Sequence, residues 1–351
     1  MTMYVTLGEN AAADGCFPHR TEDYIVLKSL AEEYHLAMAY YYLGCLLYDR
    51  RVYDESIEDY EESILRSPDF PTVHRNLALA YYNVKKLPQR AYEEMEKAFA
   101  LDETDARVYL ELDQLKKRLN VAVKERWSDM EKHFDLVESR DDLYLEYVTL
   151  LNTLGEPEKA LGLIKARKFH QWEGGEGKVA AQYLTALYQL AKAAVEKEDY
   201  AEAKELLLRA VGEYPHNLGE GKLESGQENN LYYLLGLVQE KLGEAKDAFE
   251  SLTRACCGES EPVGMMYYND QPPEMIYYQG LAYRMLGEEE QEVRRFQKLV
   301  DYGREHIRDD VKIDYFAVSL PDLLIFEENL NERNRKHCLF MMSLGLKGLG
   351  R

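Results

Sequence analysis

Long apolar runs are missing from this 351-residue chain. None approaches the roughly 20 residues that a membrane-spanning helix needs. The opening stretch, MTMYVTLGENAAADGCFPHR, has neither a basic start nor an apolar centre, so no signal peptide is expected. Basic residues are also in deficit: 43 Lys and Arg stand against 64 Asp and Glu, a formal charge of −21. That field opposes sequence-independent binding to nucleic acid and attachment to anionic membranes, so neither is expected as a partner. Cysteine is scarce. Cys16, Cys45, Cys256, Cys257 and Cys338 are odd in number and lack CxxC spacing, which reads as reduced thiols in a cytoplasmic protein.

The vocabulary of catalysis is absent too. There is no HExxH, no nucleophile elbow and no Cys/His cluster with metal spacing, and the eight histidines include no i, i+4 pair. The expectation is a protein without cofactor, metal or catalytic residues. Glycine does gather in two places. The string GEGK occurs at 175–178, inside WEGGEGKVAA, and again at 219–222. A phosphate-cradling loop needs Gly five residues before its GK pair and Ser or Thr after it. Trp172 and Val179 hold those places in the first copy, His216 and Leu223 in the second, so a nucleotide loop is not expected.

What the chain has is enough apolar residue (46%) to build a core, and a repeat. In 37–70, Tyr40, Leu43, Gly44 and Leu47 mark one helix face, Tyr53, Ser56, Tyr60 and Ser63 a second, and Pro68 closes the unit. The next unit places His74, Leu77, Ala78 and Tyr81 in the first set, then Ala91, Met95 and Ala98. These offsets resemble the tetratricopeptide repeat, a helix–turn–helix whose small residues let paired helices approach. The resemblance implies an all-α, right-handed superhelical solenoid of stacked pairs, because one pair cannot bury its own apolar face.

Further units begin near 106, 141, 184, 229, 273 and 336. Their eighth residues include the small Ala191, Gly236, Gly280 and Ser343, whereas Asp113 and Val148 break the pattern. Leu154-Gly155, Leu242-Gly243, Leu286-Gly287 and Leu349-Gly350 read as turns after a first helix. The expected organisation is a flexible segment 1–20 followed by a repeat domain 21–351. The domain holds regular units over about 37–140, units with long connections over about 141–302, a helical insert at 303–335 and a partial unit at 336–351. The insert contains DYFAVSLPDLLIF. There Ser319, Pro321 and Asp322 suggest a short helix start, with Leu323, Leu324 and Phe326 buried against neighbouring pairs.

Two candidate binding surfaces follow. The exposed face of the first helices takes residue five of each unit, which gives Tyr41, Arg75, Tyr188, Tyr233, Tyr277 and Phe340 among others, widened by Tyr48 and Tyr82. Tyrosine offers a flat apolar face and a hydroxyl at low entropic cost, which suits a protein or peptide ligand, although packing between helices also asks for aromatics. The second surface is the edge where about ten extra residues per unit fall at 168–180, 216–228 and 258–272. It would bring together His170, Trp172, Glu173 and Lys178 with His216, Glu220 and Lys222, and Tyr267, Tyr268 and Asp270 from the third loop. The alternative is that these are only Gly-rich turns leading into long helices.

Two finer comparisons belong to the resemblance. The repeat variant that clamps a C-terminal carboxylate uses Lys at place five and Asn at place nine. This chain has Tyr41/Cys45 and Arg75/Leu79, so that activity is not implied. The strings RNLALAYYN, ELDQLKKRL, KFHQWEGGEGKV, NLGEGK and DYFAVSLPDLLIF together resemble the C-terminal repeat region of large bacterial proteins, over about 25–351. Those proteins carry an upstream β-rich region similar to the sugar-binding fold of aldose mutarotases. This implies a link to carbohydrate, with a β-rich carbohydrate-binding domain as partner. The expected function is a scaffold binding a protein or peptide through the Tyr-lined face, the alternative a carbohydrate-associated module using the loop edge.

Overall fold

A computed structural model describes residues 18–172, 174–222, 227–264, 270–312 and 325–351. Among the described residues there are seventeen α-helices, one 3₁₀ turn and no strand. The chain forms two compact units. One runs through Leu143 and also takes in 325–327, and the other contains the remaining residues from Tyr144 on.

The first unit contains α1 (Thr21–Tyr34), α2 (Ala37–Asp49), α3 (Tyr53–Arg66), α4 (Pro71–Asn83), α5 (Pro88–Leu101), α6 (Ala106–Arg118), α7 (Val123–Lys132) and α8 (Phe134–Ser139). Pro71 and Pro88 open their helices at positions where no N–H is required. The pairing of α2 with α3 rests on close approach. A Cβ on Gly44 would sit 2.7 Å from the Tyr60 ring, and the Ser56 hydroxyl donates to the Gly44 carbonyl at 2.7 Å. Ser63 donates in the same way to the Ala37 carbonyl at 2.9 Å. Small residues that carry a hydroxyl thus bring the helices together and satisfy a backbone oxygen at once. Ala78 and Ala91 do the steric part alone in the next pair, both fully buried.

Asp113, which breaks the small-residue pattern, has a counterpart. Arg126 on α7 grips its carboxylate with Nε at 2.9 Å and Nη2 at 2.6 Å, and both side chains are 4% exposed. A bidentate ion pair therefore stands where Gly44, Ala78, Ala191, Gly236 and Gly280 stand in other pairs.

His74 on α4 is held from both ring nitrogens, Nδ1 at 2.6 Å from Glu94 Oε2 and Nε2 at 2.9 Å from the Pro68 carbonyl. Burial alone would lower its pKa. The two acceptors outweigh burial and raise it above the ordinary 6.5.

The second unit continues from α9 (Asp141–Leu154) through α10 (Pro157–Ala166), α11 (Lys178–Glu196), α12 (Tyr200–Val211), α13 (Asn229–Lys241), α14 (Ala245–Ala255), α15 (Pro273–Leu286), α16 (Glu289–His306) and α17 (Leu330–Gly348). Close approach governs it as well. A Cβ on Gly236 would meet Leu252 at 2.7 Å, and one on Gly280 would meet the fully buried Phe296 at 2.5 Å. Gly348 of α17 faces the same Phe296 ring. Helices α11 and α17 each start six residues before the unit spacing suggests, at 178 and 330.

Each pair turns through one left-handed residue. Gly155, Gly243 and Gly287 serve in the second unit, with φ of 77–78°, and Glu198 (φ 59°) does so between α11 and α12. The first unit uses Arg51 (φ 62°), Lys86 (φ 55°) and Asn120 (φ 58°).

In the insert, Ser319, Pro321, Asp322, Leu323 and Leu324 lie outside the described residues. Phe326 is buried at 1% exposure, and its ring lies against Tyr82 of α4, with centroids 5.0 Å apart. The reason is local: the Asn83 side chain holds the backbone on both sides of Phe326.

Two outcomes follow. Gly280→Val forces two methyls toward an immobile ring and should destabilise the second unit by about 1–3 kcal/mol, read as a lower denaturation midpoint. The His74 contribution to stability should be complete below about pH 6.5 and lost as pH rises through its raised native pKa. Melting at pH 6 and pH 9, with His74→Gln as the flattened control and an imidazole NMR titration, checks the sign.

Candidate functional site

The two GEGK strings meet. Glu220, in the second, accepts from the backbone N–H of Gly177 at 2.7 Å (Oε2) and of Ala180 at 2.9 Å (Oε1). Gly177 is the N-cap of α11, so a carboxylate from the next connection supplies the anion that a helix N-terminus attracts. The same connection closes a helix C-terminus. Asn217 Nδ2 donates to the carbonyls of Ile164 (2.8 Å) and Arg167 (2.9 Å) at the end of α10. Its own carbonyl accepts from Phe169 N at 2.8 Å. Gly219 permits this approach, since a Cβ there would lie 2.7 Å from the Phe169 oxygen and its φ is +78°. Asn229 repeats the device one unit on, donating to Ala255 O (2.9 Å) and Cys257 O (2.7 Å).

These contacts enclose a pocket of about 280 Å³ lined by His170, Gln171, Trp172, Gly175, Glu176, Val179, Leu218 and Glu220. Gly175 is obligatory beneath the indole, because a Cβ would fall 2.3 Å from Trp172 Cε2. Three of the sequence-derived edge residues therefore share one pocket: His170, Trp172 and Glu220. The others differ. His216 is exposed in the 3₁₀ turn His216–Leu218, and Lys178 opens α11. Lys222 is not free for a ligand. Its ammonium turns inward to Glu228 Oε2 (2.8 Å) and to the Val211 carbonyl. Glu228 is 5% exposed and burial raises its pKa, so it needs that cation. Asp270 offers its backbone carbonyl to Gln227 Nε2 at 3.3 Å. Glu173, Tyr267 and Tyr268 lie outside the described residues. Sequence reasoning missed Asn217, although the string NLGEGK contains it.

On the first helices of the second unit, Tyr188 (α11), Tyr233 (α13) and Tyr278 (α15) form a half-buried group. The hydroxyls of Tyr188 and Tyr278 are 2.9 Å apart, and the rings of Tyr233 and Tyr278 are 5.6 Å apart, tilted by 45°. Burial, then the hydrogen bond with Tyr278, pushes the Tyr188 pKa up. Tyr277, expected here, borders the group: its ring meets Tyr278 edge-on at 5.8 Å and also packs on Phe296 at 5.5 Å, beside the Ile276, Leu299 and Met341 core. Phe340 stands 42% exposed on α17, with no ring contact to that group.

In the first unit two expected surface residues are committed elsewhere. Tyr41 is 7% exposed because Phe70, entering α4, covers it at 4.9 Å. Arg75 forms a bidentate pair with the fully buried Glu111, Nε at 2.6 Å and Nη2 at 2.7 Å. Tyr48 is half-buried edge-on to Tyr53 at 5.1 Å, and Tyr82 lies against Phe326.

Helix pairs of this kind define a tetratricopeptide-type helical repeat, a scaffold fold that generally mediates protein interactions without catalysis. The tetratricopeptide repeat family model matches residues 41–106 and 188–262. Among solved structures, YrrB, described as a TPR protein with an unusual peptide-binding site, shares 18% identity. That match covers 57% of this chain and 91% of YrrB, with a TM-score of 0.38. A tetratricopeptide repeat protein of Parabacteroides merdae shares 11% identity over 93% of this chain and 99% of its own, TM-score 0.41. The C-terminal part of a repeat protein of Cytophaga hutchinsonii shares 14% over 74% and 93%, TM-score 0.40. At these levels no residue role carries over. No described helix is long and apolar enough to cross a membrane.

Removing the carboxylate that caps α11 should cost about 0.5–2 kcal/mol. Glu220→Ala is expected to speed proteolysis and amide exchange around 171–180, whereas Glu220→Gln, which keeps one acceptor, should lose less.

Proposed function

We propose that this chain is a non-catalytic scaffold that binds a protein or peptide across the tyrosine-lined face of α11, α13 and α15. The observation that supports this reading is the grouping of Tyr188, Tyr233 and Tyr278 from helices distant in sequence. Three half-buried rings offer broad apolar area that is already immobilised, so a ligand pays little further ordering entropy. One hydroxyl proton serves the Tyr188–Tyr278 bond, and the other can serve a ligand carbonyl. The formal charge of −21 favours encounter with a basic partner segment.

A second reading attaches to the Trp172 pocket. Its size, the indole and the nearby His170, Gln171 and Glu176 suit a sugar ring, presented alone or by a β-rich carbohydrate-binding partner domain.

Peptides selected by display on the wild-type chain separate these readings. Affinity should fall at least tenfold, about 1.4 kcal/mol, for Tyr188→Ala/Tyr233→Ala. Unchanged affinity would remove the tyrosine face from consideration. Calorimetric screening with mono- and disaccharides should give saturable heat lost in Trp172→Ala if the second reading holds, and no heat if it does not.

A further inference from the structure

The first and last described helices each keep one face open. On α1, Leu30 and Ala31, with Tyr24 and Leu27, pack against Ala39 and Leu43 of α2. On the opposite side Ile25 is 67% and Val26 39% exposed, with Ser29 between them and the exposed Glu22 and Glu33 at either end. α17 buries Asn334, Cys338, Met341 and Gly345. Opposite them Leu339 (45%) and Phe340 (42%) are exposed beside Ser343, with the exposed Lys336 and Lys347 at either end.

The repeat register shows what each open face is built to meet. Ser56, Tyr60 and Ser63 are the residues with which α3 holds α2. One repeat unit earlier, Glu22, Val26 and Ser29 occupy those places on α1. α1 therefore has the face of a second helix, uncovered. Ser343 of α17 holds the place of Gly44, where α2 comes closest to α3, so α17 has the face of a first helix, uncovered.

The two faces also differ in charge. α1 carries Glu22, Asp23, Glu32 and Glu33 against Lys28, whereas α17 carries Arg333, Arg335, Lys336 and Lys347 against Glu332. Carboxylates crowd the α1 side: burial, then the charges of Glu58, Glu32 and Glu62, push the Asp59 pKa on α3 up to about 7. A repeat array that stays single ends in polar faces. Here each end presents a large apolar pair around a small residue, and each holds the charge that complements the other.

We infer that copies of this chain associate end to end, α17 of one copy taking α1 of the next, so that the two helices complete a pair between chains. The contact joins unlike surfaces and is heterologous. It uses no residue of the Tyr188 face.

Sedimentation equilibrium on the full-length chain tests this. The wild-type mass should rise above that of one chain by about 0.1 mM. Ser29→Arg and Ser343→Arg each wedge the helices apart and should weaken association at least tenfold. Mixed in equal amounts, the two variants should recover it as a one-to-one complex, because one retains α17 and the other α1. Lys336→Glu/Lys347→Glu should weaken the contact by a similar factor, and Glu22→Lys/Glu33→Lys in the same chain should restore it. Circular dichroism checks folding, and the charge reversals decide if an arginine variant does not fold. A wild-type chain of single mass throughout overturns the inference, as do folded variants that associate like wild type or a mixture that stays monomeric. Dimers of the Ser29→Arg chain alone would set α17 against a second α17 and overturn its pairing with α1.

Discussion

Close approach between the two helices of a pair is the constraint on which the rest depends. Where Gly44, Gly236 or Gly280 faces Tyr60, Leu252 or Phe296, a single added carbon would overlap a side chain that has nowhere to go. Interiors packed to crystalline density tolerate little volume change, so these contacts fix the separation of the pair and with it the direction of every side chain on the first helices. The grouping of Tyr188, Tyr233 and Tyr278 inherits its geometry from them. The pair of α6 and α7 meets the requirement differently. Asp113 and Arg126 span the interface with a bidentate ion pair, which is directional where apolar contact is not, but costly if either partner is lost.

The long connections obey a second constraint, that buried helix ends must have partners. Residues 217–220 supply both kinds, amide donors for the carbonyls ending α10 and a carboxylate for the N–H groups opening α11. This accounts for the recurrence of GEGK at a distance of one unit. The glycines in the two copies do different work: Gly175 makes room for an indole, and Gly219 adopts positive φ against the Phe169 carbonyl. The resemblance to a phosphate loop arises because a helix N-terminus attracts anions generally, and here the protein's own glutamate answers.

The helix pairs were legible because small residues recur at fixed offsets, and such offsets survive in a single sequence. The meeting of the 170s with the 220s was legible for the same reason, since stacking makes unit-spaced residues neighbours. Orientation within adjacent tyrosines was not. Place five predicts Tyr277 for the open face; its ring rests against both Phe296 and Tyr278, and it is Tyr278 that meets Tyr188 and Tyr233. A rotation of one residue is below what a repeat register resolves. Tyr41 and Arg75 were misjudged because what covers them, Phe70 and Glu111, comes from outside their own helix. The docking of Phe326 on Tyr82 had no signal, because no periodicity links residues so far apart.

The turns carry one more implication. A glycine turn such as Gly243 reverses the chain without strain and presents nothing to the outside. Lys86 holds the equivalent left-handed conformation at some backbone expense. In return, its ammonium is delivered to the rim of the helix pair by a rigid reversal and not by a free loop. A rim built of glycines is chemically mute; one that admits Arg51, Lys86 and Asn120 can be lettered, each turn spelling a charge or an amide at a spacing set by the repeat.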